Sequence, residues 1–333
     1  MDHLIILPCI CALILGFVLT FPLKRLAQVL GFMDVPDDER RMHTEPIPRI
    51  GGLAIYVAFF ISICISGKLF SAMPYILSGA IVAVLGSIDD RHPLTASKKL
   101  VGQTLAGICL CFFGVTVDNI RLFGLNIETG IIAYPLTVIF VIAVVNVLNL
   151  IDGLDGLCCG MSVISVCGLV LLTALAGATD VTAIALVFIF SCMGFFPHNT
   201  HPARIFMVDT GSMLCGIVLA SLCCQTVFSA EYEFSALTVL ALIGIPIFDT
   251  AFAIVRRIHN KVGVFKGDKK HVHHRLSARY GHRKAVLLMY AGGVLLSGIA
   301  LITNFAPMGE MIGGVLLLLC AAYGVIRFGV CKN

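Results

Sequence analysis

The sequence predicts an all-α polytopic membrane protein, and three observations carry that prediction. Apolar residues make up 59% of the 333 residues, charged residues make up only 13%, and the apolar ones fall in long unbroken runs. Soluble domains average roughly 45–50% apolar and about 25% charged, so lipid rather than water is the main solvent here. A disordered chain needs the opposite balance, with little hydrophobicity and much charge. An outer-membrane barrel would alternate apolar and polar residues, and these runs do not.

A crossing takes about 20 mostly apolar residues. Eleven runs fit: 4–23, 50–67, 71–88, 99–117, 132–150, 157–177, 181–197, 212–229, 236–256, 285–304 and 309–328. The first is followed, not preceded, by its basic residues Lys24 and Arg25, so it reads as a span rather than a cleaved signal. Run 71–88 stops at Asp89-Asp90, and Lys98-Lys99 open the next. Run 132–150 ends in a series of Asn and Asp that leads into 157–177. A polar loop ending in Asp209 precedes 212–229, and Asp249 stands late in 236–256. Ten spans is the alternative, because 71–88 and 181–197 are short for a crossing.

Charge then orients the spans. Cytoplasmic loops collect Lys and Arg. With the N-terminus outside, every Lys and Arg except Lys68 and Arg121 falls on the inner side. One span more or fewer would reverse every later loop and destroy that bias. The expectation is eleven transmembrane helices, a cytoplasmic C-terminus and one integral-membrane catalytic domain over 1–333. Its inner loops are 24–49, 89–98, 151–156, 198–211 and 257–284.

Most of the 14 Cys lie inside the apolar runs, where Cys packs as a small hydrophobe. There is no CxxC pair, and adjacent Cys158-Cys159 suits neither a zinc site nor a redox motif. A net charge of +4 is too small and too local to argue for nucleic acid.

Asp89, Asp90, Asp152, Asp155, Asp209 and Asp249 all fall at inner membrane edges. A solvated helix end explains any one of them, since an Asp costs about 2.5–3.5 kcal/mol at a helix centre and far less at its edge. Six on one face are explained less well, and polar groups at membrane depth are functional candidates.

Asp89 and Asp90 are adjacent and point apart, which suits a metal contact and a substrate contact; a polar helix stop explains the pair taken alone. Lys98 and Lys99 suit a phosphate as well as the charge bias. Asn146, Asn149, Asp152 and Asp155 recur every third residue and would drift roughly 60° per step around an unbroken helix. Gly153 and Gly156 permit a tight turn that gathers Asn149, Asp152 and Asp155. Their oxygens are hard ligands, suited to Mg²⁺ or Mn²⁺. Asp209 stands before a helix expected near Ser212, where it caps that helix or holds a cation bridging a phosphate. Asp249 has Arg256 and Arg257 as candidate partners, leaving structural and catalytic roles equally open.

His271, His273, His274 and Arg275 lie in a strongly basic loop. Apart from Asp268 nothing there sits at zinc-ligand spacing, whereas imidazole and guanidinium groups donate to phosphate oxygens. One membrane face thus combines hard-metal ligands, a phosphate-binding loop and lipid. That suits transfer of a phosphorylated group to a lipid phosphate. A transporter is the competing class, but its ion sites would sit near the bilayer midplane, and no inverted repeat is evident.

Six motifs in order carry a family resemblance. They are Pro46-Ile-Pro48-Arg49-Ile-Gly51-Gly52, Asp89-Asp90, Asn146-x-x-Asn149-x-x-Asp152-Gly-x-Asp155-Gly, Phe206-Met-x-Asp209-Thr-Gly-Ser212, Pro246-x-x-Asp249 and His271-Val-His273-His274. Together they resemble the polyprenyl-phosphate N-acetylhexosamine-1-phosphate transferases, whose bacterial branches include MraY and the WecA/TagO enzymes. The resemblance implies ten or eleven helices in the bacterial cell membrane and a site on the cytoplasmic face. It implies transfer of a sugar-1-phosphate from a UDP-sugar to undecaprenyl phosphate, with release of UMP and a need for Mg²⁺. By the same resemblance Asp209, helped by Asn149, holds the metal, and Asp155 and its turn contact the uracil. His271, His273 and His274 handle the donor diphosphate and sugar. Asp89 and Asp90 act near the lipid phosphate, with Lys99 as its contact. The Pro-Ile-Pro-Arg-Ile-Gly-Gly and His-Val-His-His forms resemble the WecA/TagO branch and favour UDP-N-acetylglucosamine. UDP-MurNAc-pentapeptide or another UDP-N-acetylhexosamine stays open as donor, as does a homodimer. Val208 and Val272 depart from the Gly and Ile usual in the family.

Overall fold

In the computed structural model the described residues are 5–35, 45–259 and 271–328. Each of the eleven apolar runs contains a helix. The order is α1 (Ile6–Leu30), α2 (Gly51–Ser66), α3 (Leu69–Arg91), α4 (Ala96–Phe112), α5 (Ala133–Ile151), α6 (Leu157–Leu175) and α7 (Thr179–Asn199). It continues with α8 (Val208–Gln225), α9 (Leu237–Leu242), α10 (Gly244–His259), α11 (Val272–Tyr280), α12 (His282–Phe305) and α13 (Gly309–Phe328). Among the described residues, seven helical stretches are long and apolar enough to cross a membrane: α1, α3, Gly130–Ile151, α6, α7, α8 and α12. The chain is therefore an all-α polytopic membrane protein.

Local departures from the expected runs have visible causes. Helix α1 continues past Lys24 and Arg25 until Gly31, whose φ of 76° ends it. The run 236–256 is not one helix, because the chain breaks at Ile243 between α9 and α10. Two small antiparallel hairpins interrupt the helical order. Strand β1 (Met33–Asp34) pairs with β2 (Ile47–Pro48), and β3 (Asn119–Leu122) pairs with β4 (Leu125–Glu128).

Helix α8 is the centre of the bundle, buried from Thr210 to Cys224 and packed against α2, α3, α5 and α6. Small residues permit that approach: a Cβ on Gly216 would come within 2.6 Å of Val145 Cα. Toward its C-terminal end, buried hydroxyls return to the helix backbone, Ser221 donating to Ile217 O at 2.7 Å and Thr226 to Leu222 O at 2.6 Å. A buried hydroxyl left without a partner would be costly. Helices α1, α2 and α7 form one flank, while α6, α9, α12 and α13 form the other. Cys158, Cys159, Cys192, Cys215, Cys223 and Cys224 are buried and free, packing as apolar residues.

The connections contact one another end by end. Lys68, between α2 and α3, pairs with Asp180 in the first turn of α7 at 2.5 Å. Arg121 of β3 pairs with Glu233, between α8 and α9, at 3.3 Å. These are the two basic residues that the charge count puts outside. Arg40, Arg41, Lys261, Lys266, Lys269, Lys270 and Lys332 lie outside the described residues.

Candidate active site

The last turn of α3 and the first turn of α8 meet through Asp90. This side chain is only 6% exposed and turns inward. Its Oδ1 accepts the Asp209 N–H at 3.1 Å; its Oδ2 accepts the Thr210 N–H at 3.2 Å and the Thr210 hydroxyl at 2.6 Å. The first N–H groups of a helix have no partner within it, and Met207 at the N-cap supplies none from its side chain. Asp90 therefore caps α8 from another helix. Because α8 begins at Val208, ahead of Ser212, Asp209 sits inside the first turn and does not cap it.

Glycine lets these backbones come close enough. A Cβ on Gly86 would lie 2.4 Å from Thr210 Cα, and one on Gly52 would lie 2.2 Å from Gly211 N. The 46–52 motif straps the same region, since Gly51 N–H donates to Phe206 O at 3.0 Å and Phe206 N–H to Pro48 O at 2.9 Å. Val208 has φ +48°. A β-branched residue in the left-handed region is strained. That strain falls beside Asp209, where the resembled family usually has Gly.

Four helices contribute to the polar centre. Lys99 of α4 places Nζ 2.6 Å from Asp89 Oδ2 and 2.5 Å from Asp209 Oδ2. The other Asp89 oxygen accepts the Leu94 N–H at 2.6 Å. Asn149 of α5 donates to Asp209 Oδ1 at 3.0 Å and to Ser212 Oγ at 2.9 Å. Asp89, Asp90 and Asp209 each offer an oxygen within 4.8 Å of the others. Two carboxylates already sharing one ammonium are a donor set that a hard divalent cation fits, with Asn149 alongside. Both Asp90 oxygens are engaged by α8, which leaves Asp89 and Asp209 as the outward-facing acids.

In the 152–156 turn, Asp155 finds its partners in the loop after α7. Asp155 Oδ2 lies 2.8 Å from His201 Nδ1 and accepts the Ala203 N–H at 3.2 Å. The His201 and His282 rings stack with centroids 4.0 Å apart. Asn199 Oδ1 accepts the Gly156 N–H at 3.2 Å, and Tyr290 donates to Gly156 O at 2.6 Å. Burial pushes the Asp152 carboxyl well above the usual carboxylate range, and the charges of Asp209, Asp90 and Asp155 push it the same way.

His271 and His273 are buried against Asp249, and each turns its Nδ1 to that carboxylate. His274 and Arg275 are half-buried beside them. A Cβ on Gly153 would lie 2.4 Å from His273 Nε2 and 3.1 Å from His274 Cε1, so this segment packs on the 152–156 turn. Sequence reasoning missed His201, His282 and Tyr290. The first stands two residues past Asn199 in a loop already marked as polar, which is a usable signal; the other two have none.

Comparison with known proteins bears on this geometry. Residues 72–227 match the model of glycosyl transferase family 4. A probable undecaprenyl-phosphate N-acetylglucosaminyl 1-phosphate transferase of Bacillus subtilis is 37% identical over 309 residues, covering 91% of this chain and 86% of that protein. The chain belongs to glycosyl transferase family 4 and its polyprenyl-phosphate N-acetylhexosamine-1-phosphate transferases. A decaprenyl-phosphate N-acetylglucosaminephosphotransferase of Mycobacterium tuberculosis is 32% identical, over 89% of this chain and 82% of that protein. The undecaprenyl-phosphate alpha-N-acetylglucosaminyl 1-phosphate transferase of Escherichia coli K12 is 26% identical, over 85% and 79%. The family 4 match takes in Asp89, Asp90, Lys99, Asn149, Asp152, Asp155 and Asp209. In this member of the family, Asp249 and the 271–275 segment lie beyond it.

Proposed function

We propose that this protein transfers N-acetylglucosamine-1-phosphate from UDP-N-acetylglucosamine to undecaprenyl phosphate, releasing UMP. The observation that carries the reading is Lys99 held between Asp89 and Asp209, beside Asn149, where four helix ends meet. The names of the relatives support the substrate classes.

A phosphate monoester has a second pKa near 6, so the lipid acceptor is mostly dianionic at neutral pH and needs no strong base. Lys99 offers that dianion a cation, and Asp89 orients Lys99. An acceptor oxygen attacks the β-phosphorus of the donor, and UMP leaves. Mg²⁺, held by Asp209 with Asn149 adjoining, would offset charge on the donor diphosphate. Asp155 and its turn serve the uracil, Asp152 stands between the two sets, and His271, His273, His274 and Arg275 serve the diphosphate and sugar. Asp90 keeps α8, and hence Asp209, in place.

The same proposal includes eleven crossings of a bacterial plasma membrane, with α9 and α10 counted as one, the N-terminus outside and the site on the cytoplasmic face. The charge bias supports that orientation, and the two cations left outside are each neutralised, Lys68 by Asp180 and Arg121 by Glu233.

The test is purified protein in lipid nanodiscs with labelled UDP-N-acetylglucosamine and undecaprenyl phosphate. Label entering the lipid with equal release of UMP is the expected result, abolished by EDTA and by Asp209→Asn with folding intact. Absence of lipid-linked product from every UDP-N-acetylhexosamine tried would overturn the reading.

A further inference from the structure

Asp249 is 1% exposed, and both of its oxygens are used by one short segment. Oδ2 lies 2.8 Å from His271 Nδ1 and 3.1 Å from His273 Nδ1. Oδ1 accepts the Val272 N–H at 2.6 Å and the His273 N–H at 3.4 Å. An ionised carboxylate only accepts, so each Nδ1 facing it carries a hydrogen. A neutral imidazole has one N–H, which makes Nε2 the bare, accepting nitrogen of both rings.

His273 shows why the neutral form holds. Its Nε2 is buried with no hydrogen-bond partner, pressed on the Gly153 backbone. A charged ring would bury an unpaired N–H donor there, which is costlier than an unpaired lone pair on a neutral ring. The segment also has no freedom to slide, because the same carboxylate holds two successive backbone N–H groups.

We infer that Asp249 is a positioning residue. It locks His271 and His273 as Nδ1–H tautomers and docks the 271–275 segment so that His274 lies against Gly153. The residues nearest the proposed donor are then His274 and Arg275, and the two buried imidazoles are their support. This deepens the proposed reaction and rests on it for what the docked segment serves. The tautomer lock itself stands without it.

Asp249→Asn is nearly isosteric but brings an NH₂ group into a ring of four donors. At least one imidazole must then turn over to accept. The experiment is ¹⁵N NMR of the full chain in nanodiscs with ¹⁵N-labelled histidine, the two signals assigned through His271→Gln and His273→Gln. In the unsubstituted protein both residues should show a protonated Nδ1 and a bare Nε2. Asp249→Asn should lose that pattern for at least one, and Asp249→Glu should restore it in part. In turnover, Asp249→Asn should lower kcat/KM for the UDP-sugar on the order of 10–100-fold, the loss seen when a carboxylate that orients a metal-bound His is removed. The KM for the lipid acceptor should stay within about twofold, since that carboxylate does not touch the Lys99 site. A protonated Nε2 on either residue in the unsubstituted protein overturns the inference, whether or not Asp249→Asn folds. So do unchanged tautomers in Asp249→Asn. If the spectra behave as expected but no UDP-sugar turns over, the lock stands and the proposed reaction fails.

Discussion

The carboxylate of Asp90 accepts the backbone N–H of Asp209 at 3.1 Å across 119 residues of sequence. Its neighbour Asp89 instead takes the Lys99 ammonium, at 2.6 Å. The two acids of one pair therefore do unlike work, one holding a helix and the other holding a cation.

Asp90→Asn tests that division. The substitution turns an acceptor serving three donors into a group that also donates, leaving a buried N–H of α8 unpaired. A loss of about 1–3 kcal/mol in stability is expected for a buried group left unsatisfied. Turnover should fall with it. Asp89→Asn should cost turnover with little change in melting temperature, because Asp89 supports Lys99 and a loop N–H. Circular dichroism melts of the two variants in one detergent decide the matter. Equal destabilisation by both would refute the split.

Lys99→Met removes the ammonium between Asp89 and Asp209. Without it the two carboxylates repel, so a divalent cation should bind more tightly, by about tenfold for each 1.4 kcal/mol of repulsion relieved. Turnover should nevertheless fall, with KM for the lipid phosphate rising about tenfold or more while the UDP-sugar KM stays near its original value. Mn²⁺ binding read by electron paramagnetic resonance gives the first quantity and steady-state kinetics the second. Weaker Mn²⁺ binding in the variant would mean that Lys99 does not stand where the cation binds.

Much of this was legible in the sequence because it depends on local composition. Apolar runs marked the helices, and the glycines after Asn149 marked the 152–156 turn. Asp89 and Asp209 were marked by the membrane edge to which the charge bias assigns them, and Asn149 by the every-third-residue series it belongs to. What depends on pairings over long separations was not legible. Nothing in the residues around Asp90 says that its partner is the first turn of α8. Nothing around Asp249 says that it faces His271 and His273, 22 and 24 residues further on. The break at Ile243 was hidden because apolar residues continue on both sides of it. The β3–β4 hairpin lies in a connection where composition carries no helical signal at all.

Val208→Gly bears on the strain next to Asp209. A left-handed backbone costs an L-residue roughly 1–2 kcal/mol, and Val is β-branched besides. Gly removes that cost but adds about 0.5–1 kcal/mol of chain entropy to be lost on folding. A net stabilisation of about 1 kcal/mol should remain, raising the melting temperature by roughly 2 °C for a chain of this size. Val208→Ala keeps a Cβ in the left-handed region and should gain much less. A lower melting temperature for Val208→Gly than for Val208→Ala would show that the left-handed geometry is not strained.

Gly153→Ala probes the contact between the turn and the histidine segment. The added Cβ would come within 2.4 Å of His273 Nε2, closer than any real contact allows. His273 cannot easily yield, because Asp249 holds its Nδ1 and its backbone N–H. The turn is held as well, by Asn199 on Gly156 N–H and by Tyr290 on Gly156 O. Either the 271–275 segment or the turn must shift, and both are assigned to the UDP-sugar. Overpacking of this kind costs typically 1–3 kcal/mol in stability. The KM for UDP-N-acetylglucosamine should rise about tenfold or more, while binding of the lipid acceptor at Lys99 stays unchanged. A His273→Ala background makes room for the Cβ, so there Gly153→Ala should lose its stability cost. If it does not, the two residues do not press on one another.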